Sequence, residues 1–276
     1  MPIVERLDED TVEAVVARLG FSALPVADRA GLDAVYLAWC RTVPFDNLVK
    51  RIDLVSDVAP FRNDRPDAFF ALWLGHGTGG TCWPGSRALG ALLHTIGFDV
   101  RLGSAAMADD LAGPVHSHGT VLARVDGELL WVDSSMLTDQ PVRLRAHTET
   151  TLPPTVRPVR VEPVGDSWRV HWISGARPGS MGCLLLDPEV DEQHYSARYE
   201  WSRATSPFNT GLFSTRNEAG RVVTVGMGRR IVLDRSGLSA SDPLTADERR
   251  AVLVDELGYS EEIVDALPDD DPPPHG

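Results

Sequence analysis

With 276 residues, a formal charge of −14 and 43% hydrophobic residues, the chain has the composition of a soluble globular protein of one large or two to three small domains. The negative charge argues against non-specific nucleic-acid binding. No apolar run reaches the roughly 18–20 residues needed to cross a bilayer, and Met1-Pro2-Ile3-Val4-Glu5 lacks a signal-peptide pattern, so the expected location is the cytoplasm, with no membrane partner.

In chain order, Thr11 to Leu19 reads as a helix stopped by Gly20, and Asp28 to Arg41 as a second, with Leu32, Val35, Tyr36 and Trp39 on one face. Val43-Pro44-Phe45-Asp46-Asn47-Leu48 reads as extended or turn, because of Pro44. Pro66 to Leu74 is a third helix. Thr78-Gly79-Gly80-Thr81-Cys82-Trp83-Pro84 then leads into a fourth, with Leu89, Leu92, Leu93 and Ile96 at helical spacing, Pro84 at the first helical position and Gly97 as the stop. Residues 1–97 therefore read as mainly helical. Beyond Asp99, strand-like runs cover Val115–Trp131, Val156–Ile173, Met181–Leu186 and Arg221–Leu233, and Asp242–Leu257 returns to helix. The end, Asp269-Asp270-Asp271-Pro272-Pro273-Pro274, reads as a disordered acidic tail.

Cys40, Cys82 and Cys183 are far apart, which suggests neither a zinc knuckle nor a redox pair. Cys40 and Cys183 fall in apolar surroundings and read as core. Cys82 differs, because a helix N-terminus favours a thiolate, the nucleophilic form, and the two glycines before it permit a tight turn and a close approach of substrate. On local sequence alone, a buried structural cysteine is an equal reading.

The partner for that thiol lies in His116-Ser117-His118 and the hairpin that follows. Asp126-Gly127 between apolar runs is a hairpin signal. Counted outward from a two-residue turn, Val125 pairs with Glu128, Thr120 with Asp133 and His118 with Ser135. His118 and Asp133 then share a face as diagonal neighbours, about 7–8 Å apart at Cα. The expected roles are Cys82 as nucleophile, His118 as base and Asp133 as the group that fixes the imidazole, with backbone N–H groups at the Cys82 turn as an oxyanion hole. His116 is the weaker base candidate. A metal site of His116, His118 and Cys82 lacks a fourth ligand, so no metal is expected. Trp83 is a candidate floor for a substrate pocket and equally a core residue.

Four stretches together resemble the arylamine N-acetyltransferase family: Val43-Pro44-Phe45-Asp46-Asn47-Leu48 (V-P-F-E-N-L in the family), Gly79-Gly80-x-Cys82 (G-G-x-C), His118 with Asp133 fifteen residues on, and Thr205-Ser206-Pro207-Phe208-Asn209-Thr210-Gly211-Leu212. The resemblance implies an α+β fold: a helical domain (1–97), an antiparallel β-barrel domain (98–200) and an α/β lid (201–276), with a core similar to cysteine proteases and transglutaminases. It implies a Cys-His-Asp triad, ping-pong acyl transfer from acyl-coenzyme A as co-substrate to a small-molecule amine, no permanently bound cofactor, and pocket aromatics at Phe45 and Phe208. The chain departs from the family pattern at Thr78 (family Arg), at Pro84 and Ser86 (family C-x-E-x-N), and at Ser134-Ser135-Met136-Leu137 (family V-G-F-G). The departures imply a divergent member with another acceptor, another donor, or both. The alternatives are an amide synthase or hydrolase using a carrier-bound or secondary-metabolite acyl group, with an acyl carrier protein as partner, and a non-catalytic binding homologue.

Overall fold

Capping side chains set the first helices. Asp8 accepts from Thr11 N–H to start α1 (Glu9–Arg18), and Asp28 accepts from Gly31 N–H to start α2 (Arg29–Thr42). A computed structural model describes residues 4–56, 61–107, 115–153, 156–175 and 179–270. After α2 come a two-residue strand, β1 (Phe45–Asp46), then α3 (Leu48–Val55), α4 (Pro66–His76) and α5 (Cys82–Ile96). Gly97 ends α5 at φ +116°, a conformation that favours glycine.

The middle of the chain forms an eight-stranded antiparallel sheet: β2 (Asp99–Met107), β3 (His118–Val125), β4 (Glu128–Val132), β5 (Val142–Leu144), β6 (Thr150–Thr151), β7 (Arg160–Val164), β8 (Ser167–Trp172) and β9 (Met181–Asp187), in the spatial order β5-β4-β3-β2-β9-β8-β7-β6. Leu122, Trp131 and Val142 from one half share a core cluster with Val161, Val170 and Cys183 from the other, so the sheet curls round its own interior. α5 lies on the outer face of β2 and β3 and joins them to the helices through Leu89, Leu92, Val121 and Leu102.

α6 (Glu192–Thr205) then leads into a 3-10 turn, Pro207–Asn209, and into β10 (Phe213–Glu218), β11 (Arg221–Gly226), β12 (Arg229–Asp234) and β13 (Gly237–Ala240). These four strands continue a second antiparallel sheet that begins with β1, through Phe45↔Thr215 and Asp46↔Ser214. The C-terminal region is thus joined strand to strand with the Phe45–Asp46 segment that bridges to Gly80, two residues before Cys82. The last helices are α7 (Ala246–Ala251), with a Thr245/Glu248 capping box, a π-helical turn Val252–Glu256, and α8 (Glu261–Asp265). Neighbours in both sheets are antiparallel, and the fold is α+β as expected.

Three expectations change. α5 begins at Cys82 itself, so Pro84 is its third residue, still in the turn whose N–H groups have no intrahelical partner. Leu48–Val55 is helical, where the sequence suggested only an extended or turn segment before it. Asp269 and Asp270, expected in a disordered tail, are held: the Arg51 guanidinium donates to Asp270 Oδ1 (2.6 Å) and to the Asp269 carbonyl (2.7 Å), and Leu212 N–H donates to Asp270 Oδ1 (2.8 Å). The remainder of the tail, 271–276, lies outside the described residues. Among the described residues, no helix is long and apolar enough to cross a membrane.

Candidate active site

The turn before Cys82 is made by close packing and one buried carboxylate. A Cβ on Gly79 would fall 1.8 Å from the Pro44 carbonyl oxygen, and one on Gly80 would meet Asn63, Phe69 and Pro84 at 3.0–3.1 Å. Only glycine lets the chain pass here. Asp46, fully buried, accepts from Gly79 N–H (2.6 Å) and from the Tyr259 hydroxyl (3.0 Å) through Oδ2, and from Leu48 N–H (3.1 Å) through Oδ1. Burial raises this carboxyl to about 6, against those three donors.

Cys82 is the first residue of α5 and is 9% exposed. The hairpin opposite turns through Asp126 (φ +52°) and Gly127 (φ +78°), the two positive values of a type I′ turn. Its register runs from Val125↔Glu128 to Val121↔Val132, as counted from the sequence. Pairing stops there. The chain turns over Ser134–Met136, and Asp133 becomes the acceptor of that turn: its Oδ1 takes Ser135 N–H (2.9 Å), the Ser135 hydroxyl (2.8 Å) and Met136 N–H (2.9 Å). Ser135 therefore does not pair with His118. Asp133 Oδ2 takes His118 Nε2 (2.7 Å) and Trp131 Nε1–H (3.1 Å).

The electrostatics follow from this donor set. Burial alone would raise the Asp133 carboxyl. The His118 charge and hydrogen bond, with the N–H groups of Met136 and Ser135, outweigh it and hold the group well below the usual carboxylate range. Burial alone would lower His118. The charges of Asp133, Cys183 and Cys82 reverse this and hold the ring well above its ordinary value. Burial alone would raise the Cys82 thiol. The His118 charge, the hydrogen bond to its ring and the Gly119 N–H bring it below the ordinary thiol value. Both shifts favour the thiolate of Cys82 and the imidazolium of His118 relative to the free groups.

Phe45 and Phe208 meet edge to face at 5.3 Å between centroids, and Phe213, which the sequence reading did not single out, closes the triangle at 5.9 and 5.4 Å. Asn47 fixes this cluster: its Nδ2 donates to the carbonyls of Phe208 and Gly211 (both 2.7 Å), and its Oδ1 accepts from Phe213 N–H (2.8 Å). The V-P-F-D-N-L stretch could have shown this, since a buried Asn needs several partners.

Trp83 has no exposed surface. It packs edge to face on Tyr195 of α6 at 4.8 Å, and a Cβ on Gly119 would strike it at 2.6 Å. It lies beneath the site as core and offers no face to a substrate. His116 is not joined to Asp133: its Nδ1 bonds Ser104 Oγ (2.6 Å), its ring stacks edge to face with His194 at 4.9 Å, and burial with the nearby charges of His194 and Arg198 lowers it. Cys40 and Cys183 are buried, and burial pushes Cys40 up to about 12. Among the described residues, no three His, Cys, Asp or Glu side chains are grouped to hold a metal.

A model of the N-acetyltransferase family matches residues 29–261, which takes in all three polar residues of the site. A curated arylamine N-acetyltransferase of Mycolicibacterium smegmatis is 29% identical over 145 residues, covering 48% of this chain and 49% of the relative, so the match spans about half the relative's length. Among solved structures, the arylamine N-acetyltransferase of Mycobacterium abscessus superposes with a TM-score of 0.77 at 19% identity, covering 93% of both chains. That of Salmonella typhimurium gives 0.78 at 19% identity, covering 95% of this chain and 98% of that one. A Bacillus cereus relative described as having a Cys-His-Glu catalytic triad gives 0.73 at 17% identity, covering 92% and 100%. The likeness of these structures is one of fold; the family model, extending over most of the chain, carries the assignment, and the chain belongs to the arylamine N-acetyltransferase family.

Proposed function

We propose that the protein is an N-acyltransferase that works by a ping-pong cycle through a Cys82 thioester, with acyl-coenzyme A as donor and a small-molecule amine as acceptor. The observation that carries this is the preformed Cys82–His118–Asp133 arrangement at the start of α5. The Cys82 thiolate attacks the donor carbonyl, helped by N–H groups of the first turn of α5 as the oxyanion forms. The coenzyme A thiolate leaves and takes the proton from the His118 imidazolium. The amine then attacks the thioester, His118 accepts its proton, and the Cys82 thiolate is released. Asp133 keeps His118 protonated on Nε2 throughout, so that Nδ1 is the nitrogen that exchanges the proton.

Two observations narrow the alternatives. Cys82 is 9% exposed, which favours transfer over hydrolysis, since access of bulk water to the thioester is restricted. Met136, where the family has the phenylalanine after the aspartate, is 1% exposed and belongs to the core of the eight-stranded sheet. An acceptor that relies on an aromatic partner at this position finds none, which favours an acceptor other than a simple arylamine. An amide synthase fed by an acyl carrier protein uses the same thiol. The test is intact-protein mass spectrometry after incubation with a panel of acyl-coenzyme A thioesters. The expected result is an acyl adduct on the wild type that is absent from Cys82→Ala. No adduct with any coenzyme A donor, while carrier-bound acyl groups do transfer, overturns the donor.

A further inference from the structure

Gly119 of β3 and Ser134 would stand opposite each other in the hairpin register, two rungs beyond Val121↔Val132, where the backbone pairing ends. A different connection spans the gap. Ser86 of α5 donates its hydroxyl proton to the Gly119 carbonyl (2.9 Å), and its oxygen lies 2.9 Å from Ser134 Oγ. The direction is fixed. A carbonyl only accepts and a hydroxyl has one proton, so Ser134 donates to Ser86 and Ser86 to Gly119. Both serines are buried, at 0% and 4% exposed. A serine inside a helix often turns its proton back to the carbonyl four residues earlier. For Ser86 that carbonyl belongs to Cys82, yet the proton goes across to β3.

The three members of this chain of bonds lie beside Cys82, His118 and Asp133. Ser86 is one helical turn after Cys82 on the same face of α5, Gly119 follows His118, and Ser134 follows Asp133. The surrounding contacts leave little slack. A Cβ on Gly85 would lie 2.9 Å from Ser134 Oγ, and one on Gly119 would lie 2.6 Å from both the Trp83 ring and the Tyr195 hydroxyl. Tyr195 in turn donates to the Trp83 carbonyl (3.1 Å), so α6 holds the first turn of α5 against β3. Gly119 N–H is among the groups that hold the Cys82 thiol below its ordinary value, and Ser86 fixes the carbonyl of that same residue. Ser86 and Ser134 both stand where the chain departs from the family pattern, so the link is made by residues particular to this chain.

We infer that Ser86 is a positioning residue for the chemistry at Cys82: the Ser134–Ser86–Gly119 chain of hydrogen bonds replaces the missing rung of the hairpin and fixes the Asp133 turn and the His118 strand against α5, which sets how the thiol meets the imidazole. This rests on Cys82 being the reacting thiol, and not on the identity of the donor or the acceptor.

The experiment measures alkylation of Cys82 by iodoacetamide against pH, with urea unfolding alongside, in the wild type, Ser86→Ala, Ser134→Ala and the double variant. Each substitution removes a single oxygen from a packed site. In Ser86→Ala the acid limb moves up, so that the rate below the wild-type limb falls about tenfold, the scale of one buried hydrogen bond and the acceptor it leaves bare. Above the ordinary thiol range of about 8.5 the rates stay within twofold, because the thiol is as accessible as before. Ser134→Ala keeps the Gly119 bond and gives a fall of about threefold. The double variant matches Ser86→Ala, because the Ser134 proton has nothing to act through once Ser86 is gone. A rate within twofold of wild type below the limb in Ser86→Ala, even with a lower unfolding midpoint, overturns the inference, because the serine is then only part of the core. Losses that multiply in the double variant also overturn it, because the two hydroxyls then act separately. If Ser86→Ala does not fold, Ser134→Ala decides alone, and an unchanged rate there overturns the inference. A wild type whose Cys82 reacts only in the ordinary thiol range refutes the activated thiol of the proposed cycle and this inference with it. Failure of every acyl-coenzyme A to load Cys82 refutes the donor alone, and the alkylation profiles still decide Ser86.

Discussion

Asp133→Asn is expected to lower the rate of Cys82 acylation by about 10³–10⁴-fold, in line with the loss seen when the orienting carboxylate of a catalytic triad becomes an amide. The direction of the swap is fixed by what surrounds each oxygen. Oδ1 takes three donors, from Ser135 N–H, Ser135 Oγ and Met136 N–H, so the amide oxygen must occupy that side. The NH₂ group then faces His118 Nε2 and Trp131 Nε1–H. Trp131 is left donor to donor, and the ring accepts at Nε2 and carries its proton on Nδ1. The nitrogen meant to take the thiol proton is then already protonated. The pH dependence separates this from simple misfolding. In the wild type the lowered Cys82 sets an acid limb for alkylation, below which the thiolate is protonated, and the raised His118 sets an upper limb for acylation alone, above which the imidazolium that protonates the leaving thiolate is lost. In Asp133→Asn the acid limb should move up towards the ordinary thiol range of about 8.5. Iodoacetamide rates against pH check it. An unmoved limb with acylation within tenfold of wild type would refute the role given to Asp133.

Gly79→Ala is expected to destabilise the fold by at least about 3 kcal/mol, at or above the upper end of the usual overpacking range. The new methyl would sit 1.8 Å from the Pro44 carbonyl oxygen, a backbone atom in the segment that bridges to Gly80. Relief requires the turn to move away from β1, which breaks the 2.6 Å bond from Gly79 N–H to Asp46 and shifts Cys82, three residues on. Gly211→Ala is the control, because its Cβ would meet nothing within 4 Å and its φ is not positive. Urea unfolding of both variants measures the difference. A Gly79→Ala protein within about 1 kcal/mol of wild type would mean that the turn is not held as described.

The pairing of His118 with Asp133 was legible in the sequence because one turn sets the register. Asp126-Gly127 forces the hairpin, and the alternation of side chains then places His118 and Asp133 together. Counting could not show that the strand ends at Val132, since that depends on Asp133 capping its own turn. α3 and α6 were not read from the sequence. α3 is only eight residues long and its charged residues are turned inward onto distant partners: Lys50 on Ser202, Asp53 on Arg203, and Arg51 on Asp269 and Asp270. α6 buries only Tyr195 and Ser202, too few to mark an apolar face. The acidic tail misled in the same way, since composition reports solvation but not a partner some 219 positions away. The departures from the family pattern prove to be spatially matched. Ser86 and Ser134, which replace family residues in separate motifs, bond hydroxyl to hydroxyl at 2.9 Å, and a Cβ on Gly85 would approach Ser134 Oγ to 2.9 Å. Leu137, where the family has glycine, keeps the left-handed conformation at φ +49° and is buried. Its apolar contacts offset a strain of roughly 1–2 kcal/mol.

The tie from Tyr259 to Asp46 has a consequence for biosynthesis. The turn that leads into Cys82 is completed by a residue 213 positions after Asp46, through the same carboxylate that holds Gly79. During synthesis the helices and the first strands emerge long before Tyr259, at roughly 5–20 residues per second. For that interval Asp46 is one donor short and Cys82 lacks its finished setting. A partly made chain should therefore carry a sluggish thiol that is spared modification until synthesis is nearly complete. A chain ending at residue 257 is expected to react with iodoacetamide more slowly than the whole protein at neutral pH. An equal rate would show that the turn is finished without its last clasp.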